Sequence, residues 1–177
     1  MSRQFWSEAL WAATSDGTAV ANTTTETVIF PNYTFPANYF QDGRLVLVRA
    51  FGKLSTTGTP TITFTARWGG VAGTVLALSE AITCGSGVAN VNWDVELYLQ
   101  CRSNGSTGTI LAFGVVRVHT AAGTVVVNVF GVSGFDAPAA VTVDLTADTA
   151  FSLTADWSAA SASNTLTGML YTGVSLN

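Results

Sequence analysis

Three runs of this chain place a large apolar side chain at every second position. They are Thr61–Trp68 (TITFTARW), Trp93–Cys101 (WDVELYLQC) and Phe151–Trp157 (FSLTADW), with Thr, Ser or a charged residue in between. A period of two is the signature of a strand with one face in a core and the other outward. The remaining chain reads the same way. Strands are predicted near 16–21, 25–30, 44–55, 60–68, 74–82, 91–103, 108–118, 124–130, 140–146, 150–157 and 164–174. Between them stand Ser15-Asp16-Gly17, Asp42-Gly43, Gly69-Gly70, Ser103-Asn104-Gly105-Ser106 and Ser161-Ala162-Ser163-Asn164. These residues supply the positive backbone angles that tight reversals need. Short strands at this spacing predict an all-β fold, a jelly-roll-like antiparallel sandwich of about 8–11 strands over residues 14–177. Residues 1–13 precede it as an arm or short helix. Trp6 and Leu10 stand four apart, as in a helix, while Trp6, Glu8 and Leu10 alternate equally well as a strand.

The outward positions of these strands are mostly threonine. Only 10% of the chain is charged, against roughly 25% in an ordinary soluble domain. A surface of uncharged, β-branched residues reads as a building element packed among neighbours. Net charge is −4, Lys53 is the only lysine, and the six arginines (Arg3, Arg44, Arg49, Arg67, Arg102, Arg117) are scattered. Nucleic-acid binding by counterion release needs clustered cations, so no nucleic-acid partner is expected. No run approaches the ~20 apolar residues of a membrane span, and Glu8 interrupts any secretory signal at the start. The expectation is a protein made and kept in a cytoplasm until it is used, with no membrane partner. Cys101 follows the inward register of Trp93, Val95, Leu97 and Leu99 and reads as a small buried hydrophobe. Cys84 sits at a strand end, and two unpaired thiols are expected rather than a disulfide.

No catalytic constellation is visible, so the chain is not expected to be an enzyme, and neither a cofactor nor a metal is implied. His119 is the only histidine, which excludes a histidine metal cluster, and it reads as a loop residue. Asp94 and Glu96 lie two apart on one strand face, where a solvated outer face explains them better than paired catalytic carboxylates or a calcium site. Gly69-Gly70 and Gly85-Ser86-Gly87 have neither the strand-to-helix context nor the lysine of a phosphate loop.

Aromatic residues offer a second kind of site. Phe5, Trp6 and Trp11 stand ahead of the first convincing strand and are candidates for partner binding. Tyr33, Phe35, Tyr39 and Phe40 crowd a loop from Pro31 to Asp42. Exposed there, they would stack on sugars or anchor a partner. Alternatively the loop folds over one end of the sandwich and covers it.

The passage Leu153-Thr-Ala-Asp-Trp-Ser-Ala-Ala-Ser-Ala-Ser-Asn-Thr-Leu-Thr resembles a strand–loop–strand passage of small virion proteins of tailed bacteriophages. Phe5-Trp-Ser-Glu-Ala, Ile29-Phe-Pro, Pro36-Ala-Asn-Tyr-Phe and the stretch from Gly52 to Phe64 fit the same pattern, and residues 119–140 fit it less well. The resemblance implies a jelly-roll virion protein of the capsid decoration or cement type. Such a protein assembles as a homotrimer in the host cytoplasm, sits on the capsid surface and bridges subunits of the major capsid protein. No catalytic residue comes with it. A tail or fibre component, or a carbohydrate-binding β-sandwich module, is the alternative expectation.

Overall fold

Each run of strict alternation in the sequence falls within one strand of the structure. A computed structural model describes residues 7–131 and 136–177. The first half of the chain forms β1 (Glu8–Ala12), β2 (Val20–Ala21), β3 (Thr27–Val28), β4 (Tyr33–Phe35), β5 (Leu45–Ser55), β6 (Thr61–Trp68) and β7 (Thr74–Leu78). The second half forms β8 (Ile82–Thr83), β9 (Val91–Ser103), β10 (Gly108–Ala121), β11 (Thr124–Phe130), β12 (Ala140–Val143), β13 (Thr149–Trp157) and β14 (Thr165–Ser175). An eight-stranded sheet runs in the order β1-β14-β5-β9-β10-β11, with β2 also on β14 and β12 also on β10. A six-stranded sheet runs β3-β13-β6-β7, with β4 also on β13 and β8 also on β6. All of these pairings are antiparallel. The all-β antiparallel sandwich is therefore the fold of the chain.

The two inner faces interdigitate to make the core. β5 and β9 contribute Val46, Val48, Ala50, Leu54, Trp93, Val95, Leu97 and Leu99, and the facing sheet contributes Ile62, Phe64, Phe151, Leu153 and Trp157, all essentially without solvent contact. Phe64 and Trp93 meet with ring centroids 5.3 Å apart. Gly52 makes that packing possible, because a Cβ there would lie 2.7 Å from the Trp93 ring. Cys84 and Cys101 are both buried and unpaired. Burial pushes the Cys84 thiol up to about 11.

The structure departs from the sequence reading in several places. Within the N-terminal segment, Glu8–Ala12 is a strand on β14 and not a helix. The open edge of β14 supplies hydrogen-bond partners, and Gly173 opposite Trp11 leaves a seat for the indole ring. The loop after Pro31 contains a strand, β4, paired with β13. The predicted strand 74–82 stops at Leu78, where the chain leaves the β6 edge before pairing with it again through β8. His119 is not a loop residue. β10 runs on to Ala121, and the reversal falls at Ala122-Gly123, where Gly123 takes a positive φ of 75°.

Candidate functional site

The outer faces of the two sheets differ in chemistry. On the six-stranded sheet the central polar group, Glu26, is satisfied internally. Arg67 donates to both carboxylate oxygens of Glu26 at 2.6 Å, and the Thr154 hydroxyl donates to the same carboxylate. Burial alone would raise the Glu26 pKa, but the hydrogen bonds from Arg67 and Thr154 outweigh it and hold it below the ordinary value. Asp156 nearby has no such partner; burial, then the charge of Glu26, raises its pKa.

The eight-stranded sheet turns an apolar face outward. Its register aligns Leu170, Phe51, Asp94, Arg117 and Val127 in one row across five strands. The next row is Thr172, Arg49, Glu96, Val115 and Val129, and a third holds Val174, Leu47, Tyr98 and Phe113. Phe51, Phe113, Val125, Val127, Val129, Met169 and Leu170 are all exposed, Val127 by 60%. The Tyr98 and Phe113 rings stack at 5.2 Å. Two ion pairs lie within this face, Arg49 on Glu96 at 3.0 Å and Arg117 on Asp94 at 2.5 Å, and Lys53 stands in the same outward register of β5. Contiguous exposed apolar surface of this kind marks a contact site in a folded protein.

β11 extends that face to the edge of the sheet. Its sequence, Thr-Val-Val-Val-Asn-Val-Phe, carries no charge and no proline. Natural edge strands are usually short, charged or interrupted so that they do not pair with other chains. This one has none of those devices.

Within the same face, Phe51, Gly52, Asn92, Trp93, Asp94, His119 and Met169 line a groove of about 380 Å³. Asn92, Asp94 and His119 all project outward from β9 and β10, since they fall between the buried positions of those strands.

Most of the residues predicted as recognition sites do other work. Phe35 and Phe40 are each 1% exposed. Phe35 packs on Phe40 at 4.9 Å and on Trp68 at 5.6 Å. The aromatic loop therefore folds over one end of the sandwich, because each ring gains more from 150–250 Å² of burial than from solvent. Tyr33 and Tyr39 are half-buried; Tyr33 stacks on Trp11 at 4.3 Å, and Arg44 caps Tyr39 at 4.5 Å. Trp11 spends its ring inside its own chain, between Tyr33, Phe35, Phe151 and Tyr171, and is not a free anchor. Phe5 and Trp6 lie outside the described residues.

Sequence reasoning dismissed Asp94 and His119 and passed over Phe51, Val127 and Leu170. The one local signal was the unbroken run Val125-Val126-Val127, which cannot hide all its side chains on one face of a strand.

No protein-family model matches this chain, and no curated protein matches it. Among solved structures, the CBM2 module of the Lactobacillus casei BL23 phage J-1 evolved Dit aligns over 99% of both chains, at 10% identity and a TM-score of 0.37. A similarity that low carries no argument about ancestry or ligand.

Proposed function

We propose that this chain is a non-catalytic β-sandwich module of a bacteriophage virion, working by surface contact. The observation that carries the reading is the outer face of the eight-stranded sheet, rich in exposed apolar side chains and continuous with an edge strand that carries no charge and no proline. The passage whose sequence resembles phage virion proteins forms β13, a turn and the start of β14. β13 ends at Trp157, whose indole N–H donates to the Val20 carbonyl at 3.1 Å. The turn is then held by Asn164, which accepts from the Thr57 N–H at 2.9 Å and donates to the Ala159 carbonyl at 3.1 Å.

Two placements on a particle follow from two parts of the same face. In the first, the chain is a homotrimeric decoration protein, and the patch around Val127 and Leu170 docks on neighbouring copies or on the major capsid protein. Desolvating apolar surface in that patch is favourable by roughly 25 cal/mol per Å², and Arg117, within the same row, already has Asp94 as its ion partner. In the second, the chain is a tail-borne binding module, for which the groove beside Phe51 is the recognition site. The experiment that separates them is co-sedimentation with isolated heads and with isolated tails of the source phage, alongside retention on host cell walls. Binding to heads alone supports the first placement; binding to tails or walls supports the second. Binding to none of them rejects the virion reading.

A further inference from the structure

The only lysine and the only histidine of this charge-poor chain lie on one patch of the eight-stranded sheet. Lys53 is the cross-strand partner of Asn92, and His119 lines the groove with Asn92, Asp94 and Phe51. Arg117, the neighbour of Asp94 on β10, fixes that carboxylate through its Oδ2 at 2.5 Å. Among the described residues no internal hydrogen bond engages the Asn92 amide, the His119 ring or Oδ1 of Asp94. An aromatic ring, 44% exposed, stands beside these unused groups.

We propose that this groove binds one pyranose unit of a glycan, with the sugar's C–H face on Phe51 and its hydroxyls on Asn92, Asp94 and His119. The inference deepens the tail-borne placement proposed above and rests on it for its biological use. Hydroxyls both donate and accept, and the groove offers both: an amide supplies each, and a carboxylate oxygen accepts. A phosphate wants donors only and would meet the Asp94 carboxylate. A metal ion finds no set of three His, Cys, Asp or Glu ligands among the described residues. The negative face of an aromatic ring attracts the polarised C–H bonds of a sugar. The groove volume of about 380 Å³ falls at the small end of the ~300–1,000 Å³ range of ligand sites, which suits one ring and not a long oligosaccharide.

The test is an NMR titration of the ¹⁵N-labelled chain with methyl glucoside, methyl galactoside, methyl mannoside and N-acetylglucosamine, with glycerol as an acyclic control. At least one pyranoside is expected to move the amide signals of Phe51, Asn92, Asp94 and His119 with a Kd of about 1 mM, the range of a single small contact surface. Phe51→Ala and Asn92→Ala are each expected to weaken it tenfold or more with an unchanged circular-dichroism spectrum, and glycerol to do nothing. Shifts that map elsewhere, no shift with any pyranoside, or unweakened binding by both variants would overturn the assignment. Val71→Lys, on the exposed turn between β6 and β7 of the other sheet, should bind the sugar as the parent does. A failed titration with intact binding to tails rejects the groove assignment and leaves the virion reading standing.

Discussion

Gly173→Ala is expected to loosen β1 from the sandwich, and to do so only while Trp11 is present. An alanine Cβ at 173 would lie 2.1, 2.2 and 2.4 Å from Cζ3, Cη2 and Cε3 of the Trp11 ring, far inside van der Waals contact. The ring cannot tilt away freely, because Tyr33 stacks on it at 4.3 Å and Tyr171 lies at 5.3 Å. Overpacking of this kind costs about 1–3 kcal/mol, and we expect about 2. Trp11→Ala alone removes a half-buried ring, so its cost should fall near 2–3 kcal/mol, below the ~3–5 of a fully buried aromatic. In the double variant the clash has no partner. The second substitution should then cost nothing, or return the ~0.5–1 kcal/mol by which alanine exceeds glycine in a strand. Urea unfolding of the four proteins should give a coupling energy of about 2–3 kcal/mol. Equal cost of Gly173→Ala with and without Trp11 would refute the reasoning, since the strain would then lie in the backbone of β14.

Other outcomes follow from the same structure. Val127→Lys should change monomer stability by less than about 1 kcal/mol, because the side chain is mostly exposed. On the decoration placement proposed above, light scattering should show the parent near three times its 18.4 kDa chain mass and this variant below it; an unchanged trimer would exclude β11 from the contact. Glu26→Gln should destabilise by about 2 kcal/mol at neutral pH, short of the ~3–5 for a fully buried broken pair. Its depressed pKa means the Glu26 contribution is present above the unfolded carboxylate range and is lost as pH falls through the folded value. The parent and variant should therefore converge in acid, and a gap independent of pH in chemical unfolding would show that charge is not the cause. Cys84, with its thiol near 11, should resist iodoacetamide at pH 8 in the folded protein and react fast in denaturant; rapid native alkylation would contradict its burial.

Which parts of this molecule were legible in the sequence follows from how local each signal is. β6, β9 and β13 were readable because their alternation is complete within one strand. β1 was ambiguous because five residues do not separate a period of two from 3.6, and what decides it is Gly173, more than 160 positions away. Phe35 and Phe40 could be read as exposed or as a cover over one end of the sandwich, because the loop alone does not say what lies beneath it; Trp68, far along the chain, decides for the cover. The groove was invisible for a different reason. Phe51, Asp94 and His119 meet only through the register of β5 on β9 and β9 on β10, which no single segment encodes. Asp94 and Glu96 were rightly placed on an outer face, yet their arginine partners lie on different neighbouring strands.

The central claim, that this chain works by docking its eight-stranded face, is tested most directly by sedimenting it with heads and with tails separated from virions of the proposed source phage. The account predicts that the parent pellets with one of them, and that a Val127→Lys, Leu170→Glu double variant with an unchanged circular-dichroism spectrum stays in the supernatant. A parent that pellets with neither, or a double variant that pellets as fully as the parent, would contradict it.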